Sequence, residues 1–361
     1  MKRFNEFRKT DEFDNLLASV FAIIFGLVFG FIIILATNPN NAIDAFGIIL
    51  QGGFYHGIFG LGNVLFSATP IILTGLSVGF AFKTGLFNIG ASGQFMIGAF
   101  TAIYVGVNWT WLPPSIAWLV AMLAGAFAGA IWGMIVGALK AYRNVNEVIA
   151  SIMMNYIAMY FVNFWMRIST FDQVYSRTIQ PKNAYLPRMG LDVIFPKSSI
   201  NIGIIIAIVV AIAIHIILNK TTFGFELKAV GYNRHSSKYA GINEKKSIIL
   251  SMAIAGMLAG LGGALLYLSD VGVYLNASYS ILKEGFDGIS VALLAQSNPI
   301  AIIFSGIFIS HITYGGSNLQ LLNLQPEIIE VITAAIIYIS ALSILLKKFI
   351  GKFKKKDKEV Q

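Results

Sequence analysis

The chain has no cysteine at all and few charges: of 361 residues, 12% are Asp, Glu, Lys or Arg. The first absence excludes a disulfide scaffold, a thiolate zinc site and an iron–sulfur cluster. The second excludes a water-soluble globular domain, which carries about 25% charged residues. Motifs are missing too. No His-Glu-x-x-His run offers a zincin site, and no Gly-x-x-x-x-Gly-Lys-Ser/Thr loop offers a site for ATP. What fills the chain instead is apolar: 57% hydrophobic residues and a mean hydropathy of +0.74. One integral membrane unit is the expected organisation, and nucleic acid is not an expected partner despite the net charge of +9.

A helix crossing a ~30 Å hydrocarbon core needs about 20 residues. Uncharged runs of that length begin with 16–36, too long for a signal-peptide core and followed by no small-residue cleavage site. One span is predicted at about 62–82, and two between Thr84 and Leu139, split at Asn108-Trp-Thr-Trp-Leu-Pro-Pro114. One each follows at 148–166, 198–219 and 247–269. A short and a longer helix share 288–326, broken at Asn298-Pro299 and Gly315-Gly316, and 327–346 is the last. The fold class is therefore an all-α polytopic bundle of about ten transmembrane helices, some of them broken. An even number puts both termini on one side. With that side cytoplasmic, 20 of the 26 Lys and Arg residues face the cytoplasm, the bias expected of the inner face.

The division that follows is an N-terminal cytoplasmic segment 1–15, an integral membrane domain 16–346, and a basic cytoplasmic tail 347–361. The tail reads as a solvated stop signal or as an anionic-lipid anchor. Within the membrane domain the cytoplasmic loop 219–246 mixes apolar and basic residues as two short helical pieces. Composition leaves it either a docking element or a connector.

Glycine is abundant, 35 residues. Gly125, Gly129, Gly133 and Gly137 recur every fourth position and line one helix stripe. Gly26/Gly30, Gly75/Gly79 and Gly256/Gly260 repeat the spacing. Small residues of this kind let backbones approach where lipid supplies no hydrophobic drive. In 83–100, four glycines with Asn88, Ser92 and Gln94 stand where a helix should begin, predicting a broken entry. Irregular backbone at membrane depth survives only inside protein or beside a cavity, so this segment is a candidate pathway wall. A second break is predicted at Lys283-Glu-Gly-Phe-Asp-Gly-Ile-Ser290, with Asp287 at the entrance of a short span. Paired breaks are a transporter feature. Asn155 lies mid-span and is expected to face the bundle. Glu147 opens its helix, where a carboxylate favours the dipole. His215 and His311 are expected to be packing residues.

Serine signatures do not lead to catalysis. Gly75-Leu-Ser77-Val-Gly79 lies inside a span without the strand that a nucleophile elbow requires. Gly90-Ala-Ser92-Gly93 resembles the rhomboid protease motif, but the paired-histidine run of that family is absent. No catalytic or metal-binding residues are assigned; if the chain is a transporter, its energy has to come from an ion gradient or from another polypeptide.

Four blocks together are specific. Gly85-Leu-Phe-Asn-Ile-Gly-Ala-Ser-Gly-Gln94, Asn144-Val-Asn-Glu-Val-Ile-Ala-Ser-Ile-Met-Met-Asn155, Ala229-Val-Gly-Tyr-Asn-Arg-His-Ser-Ser-Lys-Tyr-Ala-Gly-Ile242 and Gly285-Phe-Asp-Gly-Ile-Ser-Val-Ala-Leu-Leu-Ala295 occur in order. They resemble the permease subunits of bacterial ABC importers for simple sugars and nucleosides, the nucleoside branch more than the ribose branch. The resemblance implies a multi-pass protein of the bacterial cell membrane that is not itself an enzyme and holds no cofactor. It implies a cytoplasmic ABC ATPase that binds the ATP, a second, related permease subunit, and an extracytoplasmic substrate-binding lipoprotein. The substrate would be a nucleoside or a simple sugar. Loop 219–246 then becomes the ATPase-coupling segment, with Gly231, Asn233, Ala240 and Gly241 at the matching positions. Asn88, Gln94, Asn155 and Asp287, with Glu147, become the residues expected along the substrate pathway. An ion-coupled secondary transporter is the rival reading.

Overall fold

The computed structural model describes residues 11–322, 324–325 and 327–342. The basic tail and the first ten residues lie outside the described residues. The chain is helical nearly throughout. In order the helices are α1 (Asp11–Thr37), α2 (Ala42–Gln51), α3 (Gly57–Lys83), α4 (Ala91–Asn108), α5 (Pro114–Arg143), α6 (Glu147–Ser169), α7 (Leu191–Ile194), α8 (Gly203–Lys220), α9 (Thr222–Tyr232), α10 (Arg234–Tyr239), α11 (Glu244–Tyr267), α12 (Glu284–Leu294), α13 (Pro299–Ser317) and α14 (Ile328–Ala341).

Among the described residues, seven stretches are long and apolar enough to cross a membrane: Leu17–Thr37, Pro39–Lys83, Pro114–Arg143, Glu147–Ser169, Gly203–Lys220, Glu244–Tyr267 and Pro299–Leu322. Three of the ten expected spans fall short of that mark. Helix α4 includes Ser92, Gln94 and Asn108 among its 18 residues. Helix α12 has 11 residues, about 16 Å at 1.5 Å per residue, half the hydrocarbon thickness. The apolar part of α14, Ile328–Ser340, is also short. Helix α2 is an element that the hydropathy reading left as loop. It buries Ala42, Ala45, Ile48 and Ile49, and Gly52 and Gly57, both at positive φ, turn the chain from it into α3.

The glycine stripe of α5 meets α11 and α4. A methyl group on Gly129 or Gly133 would strike the backbone of Gly256, Gly260 or Met252. One on Gly125 would strike the carbonyl of Gly98. The weaker pair Gly256/Gly260 is thus the other side of the same seam, so two spacings in the sequence describe one contact. Gly26 and Gly30 seat α1 on Ile336 and Ile332 of α14. Gly75 and Gly79 seat α3 on Val291 of α12 and Ile302 of α13.

One end of the bundle gathers Lys83, Lys140, Arg143 and the loop carrying α9 and α10. The opposite end is closed by 170–202, where β1 (Phe171–Asp172) pairs antiparallel with β2 (Arg177–Thr178). That loop is tied to the segment after α11. Thr178 N donates to Leu275 O at 2.9 Å, Leu186 N donates to Leu268 O at 2.9 Å, and Arg188 pairs with Asp270 at 2.9 Å.

Candidate functional site

Three of the five residues expected along a substrate pathway come together. The chain leaves α3 at Lys83, runs without helix from Leu86 to Asn88, and starts α4 at Ala91. Asn88 and Gln94, both buried, exchange amide hydrogen bonds: Asn88 Nδ2 donates to Gln94 Oε1 at 2.8 Å, and Gln94 Nε2 donates to Asn88 Oδ1 at 3.1 Å. Asn88 Nδ2 also donates to Ser77 Oγ of α3 at 3.0 Å. From α6, Asn155 accepts from Gly93 N at 2.8 Å and donates to Ile89 O at 3.1 Å. Buried backbone outside a helix needs partners of this kind. Here the Asn155 amide supplies them for Ile89 O and for Gly93 N in the first turn of α4, while the Asn88–Gln94 pair ties the break to α4, so the break holds its shape inside the bundle.

The second break packs on the first. A methyl group on Gly285 would strike Ser92 at the start of α4, and one on Gly288 would strike Thr74 of α3. Thr74 Oγ1 donates to Glu284 O at 3.0 Å. The two Gly-rich blocks, nearly 200 residues apart in the chain, are therefore in contact. Nearby, the hydroxyls of Ser92 and Ser151 are buried without a hydrogen-bond partner.

Asp287 and Glu147 stand away from the amide cluster. Asp287 lines a cavity of about 450 Å³ between α12, α13 and α14, with Lys283, Ser290, Thr313, Glu330 and Thr333 also in its wall. Lys283 and Glu330 face each other there at 3.7 Å. Glu147 lies two helical turns from Asn155, about 12 Å along the axis, and pairs with Lys140 at 2.8 Å. The cap of α6 is Asn146, whose side chain accepts from Val148 N at 2.9 Å. A carboxamide at the N-cap satisfies an orphan N–H directly, so Glu147 is free to serve the ion pair.

The loop residues divide into seat and turn. Gly231 packs against the backbone of Lys83, Thr84 and Gly85, where a side chain would not fit. Asn233 caps α10, accepting from Ser236 N at 3.0 Å. Ala240 ends that helix, and Gly241 follows at φ +82°. Two residues that sequence reasoning passed over stand out on this loop: Tyr232 is 91% and Tyr239 95% exposed. An aromatic at each flank of a basic hexapeptide is the signal that was available. Glu330 and Thr333 were equally legible as polar residues within 327–346, but nothing in the sequence tied them to Asp287. His311 holds Gly53 N at 3.3 Å and His215 contacts Asn219 at 3.3 Å, both consistent with packing. Among the described residues there is no cluster of three metal-ligating side chains.

Residues 60–341 match the family described as "Branched-chain amino acid transport system / permease component". The guanosine ABC transporter permease protein NupP of Bacillus subtilis (strain 168) is 37% identical over 343 residues, 95% of this chain and 97% of that protein. The nucleoside ABC transporter permease protein NupB of Lactococcus lactis subsp. cremoris (strain MG1363) is 36% identical over 349 residues, 94% of each. A second guanosine ABC transporter permease protein of Bacillus subtilis (strain 168), NupQ, is 27% identical over 79% of this chain and 90% of its own length. No solved structure matches the chain.

Proposed function

The chain belongs to this family of ABC-transporter permease components, a multi-pass protein of the bacterial plasma membrane and not itself an enzyme, and from that premise we propose that it imports nucleosides. The observation carrying the proposal is the 37% identity to a guanosine permease across nearly the full length of both proteins. The similarity to two different guanosine permease proteins of one organism supports a pathway built from two related permeases. A cytoplasmic ATPase supplies the energy, and an extracytoplasmic lipoprotein delivers the substrate. Both termini are cytoplasmic, 16–346 is the membrane domain, and 347–361 is a cytoplasmic tail.

Substrate passes along the wall that the two breaks build. The cavity beside Asp287, about 450 Å³, is within the ~300–1,000 Å³ range of small-molecule sites. Its carboxylates and hydroxyls suit the vicinal hydroxyls of a ribose. Asn88, Gln94 and Asn155 act one layer behind, holding the break that gives the wall its form. Contacts on a pathway have to be weak enough for release.

The ATPase docks on 219–246, with exposed Tyr232 and Tyr239 as its apolar anchors. Movement of α9 is passed on at Gly231, which touches Lys83, Thr84 and Gly85. From Gly85 the strain reaches Asn88 within three residues, and through Asn88 and Gln94 it reaches α4. A bistable element of this kind is what coupling to ATP requires. The test is uptake of labelled guanosine, adenosine, uridine and ribose by the complex reconstituted in vesicles. Nucleoside uptake that needs ATP and the ATPase is expected. Uptake abolished by an ionophore and indifferent to the ATPase would overturn the assignment in favour of a secondary transporter.

A further inference from the structure

The inner ends of α5, α6 and α11 carry more positive charge than they can neutralise. The three helices have two acidic residues between them, Glu147 and Glu244. Both are already engaged, Glu147 with Lys140 at 2.8 Å and Glu244 with Arg234 at 3.4 Å. Arg143 at the end of α5, and Lys245 and Lys246 at the start of α11, are exposed and have no ion-pair partner among the described residues. Lys245 is nonetheless held in place: its Nζ reaches across from α11 to lie 5.4 Å from the centroid of the Tyr142 ring on α5. A ring face attracts a cation without cancelling its charge. Two cations, Lys245 over the ring and Arg143 next to Tyr142 in the chain, are thus gathered with no anion to meet them.

From Tyr142 toward the membrane interior, α5 shows an uncovered apolar face. Phe127, Ile131, Ile135, Leu139 and Tyr142 are all exposed and stand three or four residues apart, the spacing that keeps side chains on one side of a helix. From Phe127 to Tyr142 is about 22 Å at 1.5 Å per residue, enough to cross the ~15 Å that one leaflet contributes to the hydrocarbon core. A tyrosine at the end of such a face is an interface anchor, ring on the apolar side and hydroxyl in the headgroup layer. A cytoplasmic protein would meet the cations and never reach the apolar face below them. A ligand that meets both has acyl chains and an anionic head, and basic sites between helices on the cytoplasmic side suit such headgroups.

We infer that the inner end of α5 is a binding site for an anionic phospholipid, its phosphate held by Arg143 and Lys245 and an acyl chain lying along the face from Leu139 to Phe127. A zwitterionic lipid offers the same chains, but its own ammonium opposes the two cations. The site does not depend on which substrate is carried. Lys245 closes the loop 219–246, so the lipid fixes the root of the segment on which the ATPase is proposed to dock.

The test titrates phosphatidylglycerol and phosphatidylcholine of identical acyl chains into the delipidated transporter complex in detergent, with bound lipid counted by native mass spectrometry. Tighter binding of phosphatidylglycerol is expected in the wild type. Lys245→Gln and, independently, Arg143→Gln are each expected to weaken its tightest binding about fivefold, the worth of one basic residue at an anionic surface, and to leave phosphatidylcholine unchanged. Lys220→Gln is the comparison, an exposed cation at the same end of the bundle but on α8, which packs on α3 and α13; it is expected to change neither. Elution as a monodisperse complex checks that each variant is folded. Equal binding of the two lipids by the wild type would overturn the site. So would a loss in Lys220→Gln as large as in Lys245→Gln, which would mean diffuse charge. An ATPase that dissociates from the Lys245→Gln and Arg143→Gln complexes while lipid binding is intact would assign the cations to the ATPase instead.

Discussion

Asn155 shows how a residue can be legible as polar and buried while its work stays hidden. Its place in the middle of an apolar span is plain in the sequence. Its partners, Gly93 N and Ile89 O, lie more than sixty residues away and only folding brings them near. Asn155→Ala removes both bonds and leaves backbone groups unpaired, at about 1–3 kcal/mol for each buried group. A lowered melting temperature of the purified protein in detergent is the expected reading. Asp287 is the contrasting case, since it faces a cavity and its carboxylate makes no hydrogen bond or ion pair among the described residues. Asp287→Ala is expected to leave melting nearly unchanged and to reduce nucleoside uptake about tenfold; unchanged uptake at normal expression would remove Asp287 from the pathway. Glu147 marks the limit of local reasoning. The dipole argument put a carboxylate at the start of α6 correctly, but the capping is done by Asn146, and Glu147 instead pairs with Lys140 across the turn from α5.

At the scale of elements, long uncharged runs translated directly into helices because a helix satisfies all of its backbone hydrogen bonds within one segment in lipid. The short elements were harder. Helix α2 has 10 residues and carries Asp44 near its start, so it fails any test based on a twenty-residue window. Its burial comes from neighbours, and those are invisible in a single stretch of sequence. The break before α4 and the shortness of α12 were legible through glycine and polar residues at helix starts; their mutual contact through Gly285 and Ser92 was not. The glycine stripe of α5 was read as a packing surface, and the fold supplies its partner. Gly129→Leu is expected to push α5 off the backbone of Gly256 and Gly260, and overpacking a seam without side chains to rearrange costs about 1–3 kcal/mol or more. The check is size-exclusion chromatography of the detergent extract, where the variant should shift from a single peak toward aggregate.

For the whole molecule, the excess of positive charge becomes a statement about sides of a membrane. Its largest blocks, the loop around α9 and α10 and the tail beyond Lys347, are where the orientation argument gains most. The lack of cysteine makes that argument directly testable. Val174→Cys in the loop between β1 and β2 is expected to react with a membrane-impermeant maleimide on intact cells. Tyr239→Cys is expected to react only after permeabilisation; labelling in the reverse pattern would invert the topology. The seam between α5, α11 and α4 also has a mechanical meaning. Side chains that interdigitate can slip by changing rotamer, one notch at a time. Gly129, Gly133, Gly256 and Gly260 have no rotamers to change, so α5 and α11 can shift only by parting outright. That pair is expected to stay fixed as a stator while the half-helix α12 and the break before α4 move together against it. Spin-label distances between α5 and α11 should then stay constant from one nucleotide state to the next, while distances from α12 to α5 change.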